Sequence, residues 1–315
     1  MRHWLEYVVV RAIGLQVGLL PMSFVRSLGA ALGRVVYYID RTHRRTALEN
    51  LGAAFPGRPV AERRALARAM FGHFGSLLLE LLKFGSYSRE QVLAAVEVEG
   101  EGRTRSAHLQ GRGVLYFTGH FGYWEMQAIT HPLRHPHAIS VLARPLDNPR
   151  LHGLLERIRT RTGNTVIYRQ GAVRKMLRDL ASNRGIALLI DQHLHTPDAV
   201  YVDFFQRPAA TTSALAALAL RTGATVIPVF ALPLPGGRYR LIYEHPVDPP
   251  RADTPDAIRE FTQRCTDVLE MYVRRHPELW LWMHRRWRDR EPELASMAED
   301  HAGAPSAEPE GEADA

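Results

Sequence analysis

A chain of 315 residues with 46% hydrophobic and 23% charged side chains can bury a sizeable core, which excludes a disordered or low-complexity polypeptide. One cysteine, Cys265, excludes a disulfide framework, a zinc ribbon and an iron–sulfur cluster, and gives no reason to expect an oxidising compartment. The formal charge of +7 hides an asymmetry: residues 291–315 hold eight acids and no Lys or Arg, leaving 40 basic against 25 acidic side chains in the rest. That basic body predicts an anionic partner, whether phospholipid headgroup, nucleic acid or phosphorylated substrate. Only Lys83 and Lys175 are lysine. Arginine suits bidentate phosphate and carboxylate recognition, although codon bias produces the same excess.

In chain order, Trp4–Leu20 is apolar but carries Glu6, Arg11 and Gln16 and stops at Pro21. It is short of the ~20 mostly apolar residues of a spanning helix, and it lacks a convincing signal-peptide cleavage site. Phe24–Ile39 places Leu28, Ala31, Leu32, Val35, Val36 and Ile39 at helical spacing, with Arg26 and Arg34 interleaved. Two such helices opening a basic protein predict an interfacial membrane anchor; the alternative is a pair of ordinary packing helices. Helices are next expected over Thr46–Phe55 and Pro59–Phe84.

From Val96 the period changes. Apolar runs at Val96–Val98, Val114–Phe117, Ala138–Leu142, Thr165–Tyr168, Ile186–Ile190, Thr225–Phe230 and Tyr239–Tyr243 predict strands. Between them, helical patterns cover Arg103–Leu109, Tyr123–Thr130, Pro149–Thr162, Ala172–Asn183 and Thr211–Thr222, with Pro255–His276 last. The alternation predicts an α/β fold with a central, largely parallel or mixed sheet flanked by helices. The domain plan is then residues 1–40 as membrane-associated helices, 41–290 as the α/β domain, and 291–315 as a disordered acidic tail.

In open α/β sheets, functional groups gather beyond the carboxyl ends of strands. Three polar clusters lie at such places: Gly119–Glu125, Arg144–Asn148 and Asp191–His193. His120 and Glu125 are five apart, which would put them on different faces of a continuous helix. They cooperate only if His120 lies in the preceding loop and Glu125 on the first turn. An imidazole there can take a proton from an alcohol, and a carboxylate can steady the imidazolium. With no serine or cysteine in the cluster, the substrate's own hydroxyl would attack.

Here the chain resembles the lysophospholipid acyltransferase superfamily in its lipid A late-acyltransferase branch, over roughly residues 26–290. The resemblance rests on Arg44–Leu51 followed by Phe55-Pro56, on Gly119–Glu125, and on Arg144 with Asp147-Asn148-Pro149. It continues through Ala187–Gln192, Phe204-Phe205 and Pro208–Thr212 to Pro277–Trp287. It implies His120 as general base with Glu125 as its partner, and Arg144 as a binder of phosphate or oxyanion charge. Asp147, Asn148, Asp191, Gln192, Thr211 and Thr212 are implied on the substrate side. Tyr123 stands where the family often has Asn, which implies altered acceptor contacts. Trp280, Trp282 and Trp287 suit either an interfacial belt or a packed segment, with His284, Arg285 and Arg286 turned towards phosphates or solvent.

The resemblance implies no cofactor and no metal; Asp191, His193 and His195 are ligand types without a clustered ligand pattern. The expected activity is O-acyl transfer from an acyl carrier protein or acyl-CoA donor to an anionic membrane glycolipid, a lipid A precursor, at the cytoplasmic face of the bacterial inner membrane. A phosphatidylinositol mannoside or other glycolipid acceptor is the alternative. A lipid hydrolase ranks lower, since no G-x-S-x-G elbow is present. A nucleic-acid partner is not expected, because no recognition motif accompanies the basic charge.

Overall fold

The computed structural model describes residues 1–168, 171–196, 199–250 and 256–288; the expected acidic tail 291–315 lies outside these described residues. Four helices open the chain: α1 (Arg2–Leu19), α2 (Met22–Ile39), α3 (Arg41–Ala54) and α4 (Val60–Phe84). Pro21 separates the first two, its fixed φ preset for a helix start. The third begins five residues before the apolar pattern announces it, because the Asp40 carboxylate accepts the His43 N–H (3.0 Å) and caps the helix.

One face of α2 lies on α4 at backbone contact. A Cβ at Gly33 would fall on the Phe71 carbonyl, and one at Gly75 on that of Gly29. Small residues on both helices are what let the axes approach so closely. Arg26 on α2 donates to buried Glu80 on α4 (2.8 Å), and Lys83 donates to the Val17 and Gly18 carbonyls at the end of α1. Gly33→Leu is therefore expected to destabilise by about 1–3 kcal/mol or more, since overpacking here displaces backbone. Urea unfolding in detergent measures it; an unchanged midpoint would refute the close-packing account.

The opposite faces of α1 and α2 remain apolar and exposed, through Trp4, Leu5, Leu15 and Leu19 and then Phe24, Leu32, Val35 and Ile39. Of the described helices only α4 is long and apolar enough to cross a membrane. That helix contributes Ala67, Met70, Phe71, Leu77 and Phe84 to the protein's own core.

The remaining elements alternate, as the period change predicts. In order they are α5 (Arg89–Ala95), β1 (Val96–Glu99), α6 (Glu101–His108), β2 (Val114–Thr118), α7 (Glu125–Arg134) and β3 (Ile139–Leu142). There follow α8 (Pro149–Thr160), β4 (Thr165–Ile167), α9 (Ala172–Ala181), β5 (Gly185–Leu189), β6 (Ala199–Asp203) and β7 (Pro208–Thr212). The chain closes with α10 (Ala214–Thr222), β8 (Thr225–Pro233), β9 (Tyr239–Tyr243), α11 (Ala257–Arg275) and a 3-10 turn at Pro277–Leu279. The hairpin β6–β7 and helix α5 have no counterpart in the sequence expectations. Thr211 and Thr212, read as the start of a helix, end β7 instead.

Seven strands form one sheet in the order β1-β9-β8-β2-β5-β3-β4. Every adjacent pair is parallel except β8–β9, so the sheet is mixed but mostly parallel. Both faces are covered, as parallel strands require. On β2, Leu115 and Phe117 join the core shared with α9, α10 and α11, while Val114 and Tyr116 face α6 and α7.

Candidate functional site

The register of β2 with β5 builds the site. Thr118 is paired with Leu189, and two residues further along each strand stand His120 and Asp191. The His120 backbone N–H donates to Asp191 Oδ2 (2.6 Å), and Nδ1 lies 2.9 Å from Oδ1. A carboxylate only accepts, so the proton sits on Nδ1 and the Nε2 lone pair faces outward. A third donor, the Trp280 indole N–H, holds Oδ2 from behind at 2.8 Å. Asp191 is buried, and the His120 side chain keeps 17% of its surface.

The turn carrying His120 is held on every side. Phe121 bridges to Trp280, the Gly122 N–H donates to Leu279, and Tyr123 N–H donates to Ala231 at the end of β8. His73 on α4 donates to the Gly122 carbonyl (3.1 Å); burial holds its imidazole down at about 4, so it stays neutral. Gly122 has φ +56°, and any Cβ there would strike the Ala231 carbonyl. A Cβ at Gly119 would sit 2.9 Å from Asp191 Oδ2, inside the hydrogen-bonding shell of the carboxylate.

Electrostatically, His120 and Asp191 are one buried pair. Burial opposes the imidazolium, but the Asp191 carboxylate outweighs it and raises the His120 pKa above the usual range, with Glu125 helping and Arg159 opposing. Burial likewise pushes Asp191 up, yet its contacts with His120 and Trp280 bring it down to about 2. The pair therefore stabilises the fold most fully between the unfolded values, pH about 4 to about 6.5. Its contribution fades below as Asp191 protonates and above as His120 loses its proton.

Glu125 does begin α7, with His120 in the preceding loop, as the spacing requires. Its carboxylate does not bond to the imidazole, however. Arg159 on α8 grips it through two donors, Nε at 2.9 Å and a second, shorter contact from Nη2. The direct partner of His120 is Asp191, which the sequence reading places on the substrate side. Glu125 and Arg159 act on His120 through space, with opposite sign. Glu125→Gln is expected to lower the His120 pKa, Arg159→Gln to raise it, and the double variant to fall between, as imidazole NMR titration would show. Either single change breaks a buried ion pair and costs about 3–5 kcal/mol.

The other expected residues divide. Gln192 is exposed, and its Nε2 lies 3.5 Å from His120 Nε2. Arg144 and Asp147 are exposed beyond the end of β3, which pairs with β5 at the same edge of the sheet. Asn148 is buried and committed elsewhere: its Oδ1 caps α8, and its Nδ2 donates to His3 O and Glu6 on α1. Thr211 is fully buried and accepts a hydrogen bond from buried Arg286, while Thr212 Oγ1 accepts from Ala214 N at the start of α10. All three therefore have hydrogen-bond partners within the protein itself. Tyr123 points into the core between Phe84 and Tyr239 rather than towards an acceptor. Trp280 and Trp282 are buried, which resolves the C-terminal tryptophans as a packed segment. Arg286, expected at phosphates or solvent, is also buried and donates to Ala210 O (2.6 Å).

A buried carboxylate that aims an imidazole lone pair out of a sheet edge leaves that nitrogen able to take a proton from an incoming hydroxyl. The chain belongs to the bacterial lipid A biosynthesis acyltransferase family, whose model matches residues 1–289; it is an acyltransferase. It is 27% identical over 291 residues to the lipid A biosynthesis lauroyltransferase of Escherichia coli, spanning 92% of this chain and 93% of that one. The myristoyltransferase of the same organism is 24% identical over 292 residues, 92% and 89% of the two chains. A lipid A biosynthesis acyltransferase of Haemophilus influenzae is 27% identical, covering 93% of each. Among solved structures, the 1-acyl-sn-glycerophosphate acyltransferase of Thermotoga maritima aligns over 80% of this chain and 98% of its own, at 17% identity and a TM-score of 0.36.

Proposed function

We propose that the protein moves a fatty acyl chain from a thioester donor, acyl carrier protein or coenzyme A, onto a hydroxyl of a lipid A precursor, with His120 as general base. The observation that carries this reading is the doubly anchored His120–Asp191 pair with Nε2 turned outward, where the side chain of exposed Gln192 meets it. An acceptor hydroxyl displacing Gln192 would give its proton to Nε2 as its oxygen attacks the thioester carbonyl. The tetrahedral intermediate collapses with cleavage of the carbon–sulfur bond, and the departing thiolate takes the proton back from Nε2. The balance is thioester plus alcohol to ester plus thiol.

The chain's one cysteine offers no route through an acyl-enzyme: Cys265 is buried on α11, and burial pushes its thiol up to about 12. Arg144 and Asp147 stand on the open edge of the sheet where a substrate would approach, and a guanidinium there suits developing oxyanion charge. The exposed apolar faces of α1 and α2 suit a position on the lipid surface, and the basic body suits anionic phospholipid on the cytoplasmic side.

The test supplies membranes containing the protein with labelled acyl carrier protein thioester or labelled acyl-CoA and a lipid A precursor. A labelled glycolipid one acyl chain heavier is the expected product, and the donor that yields it identifies the donor class. Release of free fatty acid alone would replace transfer by hydrolysis.

A further inference from the structure

Beside the catalytic edge, the N-terminal half of α3 and the segment following the 3-10 turn enclose a groove that the proposed chemistry leaves unused. One part, of about 640 Å³, is lined by Arg41, Arg45, Arg285 and Arg288. A second, of about 400 Å³, shares Thr42, Arg285 and Arg288 with it and reaches His193 and His284. The way back to the site is short: the His193 N–H donates to His284 Nε2 (3.1 Å), and His193 follows Gln192, which lies against His120.

The charge in this groove is not balanced from within. Arg45 pairs with Glu49 (2.7 Å), but Arg41, Arg285 and Arg288 have no carboxylate partner among the described residues. Three guanidiniums lining one concave space with no carboxylate partner among the described residues, and a threonine hydroxyl beside them, make a site for a tetrahedral polyanion. The position of the groove narrows the choice further. It opens two residues after Ile39, where the exposed apolar face of α2 ends. A ligand seated here would have its anionic group in the groove and hydrocarbon within reach of the helix face.

We propose that this groove binds a phosphate monoester on the headgroup of the acceptor lipid, and so sets which hydroxyl reaches His120. The proposal rests on the lipid A reading above. The alternative source of the same chemistry is the phosphate of the donor, and the experiment separates the two.

The full chain and two triple variants would be compared for binding to phosphatidylcholine vesicles. The vesicles carry either diphosphoryl lipid A or phosphatidylglycerol at matched surface charge. One variant removes the groove charge (R41Q, R285Q, R288Q). The other removes as much charge elsewhere (R112Q, R174Q, R221Q), from arginines that are also exposed. Wild type and the second variant are expected to prefer the phosphate monoester. The groove variant is expected to lose about a hundredfold in lipid A binding and with it the preference, at about a kcal/mol per arginine. Equal losses in both variants, or no preference in wild type, would overturn the proposal in favour of diffuse attraction. Loss of coenzyme A binding with the lipid preference intact would assign the groove to the donor and overturn it too. The readout needs no turnover: preference without acyl transfer defeats the function reading alone, and transfer without preference defeats this one alone.

Discussion

Replacing His120 by alanine is expected to lower kcat for acyl transfer by about a thousandfold, the central value for losing a positioned general base. Binding of the lipid acceptor should change little, because Asp191, Trp280 and the turn through Gly122 keep their mutual contacts. His120→Gln retains much of the volume and a donor towards Asp191 but cannot accept a proton, so it should be nearly as inactive. The measurement is initial rate at saturating donor, with thermal unfolding of each variant alongside. A folded His120→Ala protein that keeps more than about a tenth of the wild-type rate would remove His120 from the chemistry.

The second large effect concerns Asp191. Asp191→Asn replaces a carboxylate that accepts from His120 N, His120 Nδ1 and the Trp280 indole. An amide nitrogen facing Nδ1 favours the wrong tautomer, so kcat should fall by roughly 10²–10⁴-fold. The pH profile distinguishes this role from simple structural damage. Activity requires the neutral imidazole, so the acid limb of the wild type follows a His120 pKa raised by Asp191. With that carboxylate gone, burial dominates, and the limb should move to lower pH even as the plateau drops. An acid limb that stays in place, or moves upward, would mean that another group governs the titration. A purely structural defect would lower the plateau and leave the limb where it was.

The alternation of apolar runs from Val96 onward made the α/β class legible, because a strand buried on both faces leaves a short continuous run and an amphipathic helix leaves a stripe. It did not reveal β6–β7, whose residues are short or only half-buried. Nor did it separate Thr211 and Thr212 from the helix that follows them. His120 could be singled out from its place after a buried strand and between two glycines, and both glycines are required there by close backbone and carboxylate approach.

The identity of its partner is another matter. Glu125 is near in sequence and Asp191 is 71 residues away, yet it is Asp191 that touches the ring. Nothing local marks Arg159 in the last turn of α8 as the claim on Glu125, or Trp280 as the third support of Asp191. The same holds for Asn148 and Thr211, polar residues in suggestive motifs whose hydrogen-bonding capacity is taken up by α1 and Arg286.

Local information thus established the class of fold and singled out His120 and its edge of the sheet as candidates for the chemistry, since periodicity, glycine and the ends of strands are properties of neighbouring residues. Which carboxylate orients His120, and which arginines line one groove, depended on β5 packing beside β2 and on the last segment returning to α3. Those pairings are set by burial of the whole sheet, a sum over contacts distant along the chain, and no short stretch of residues encodes it.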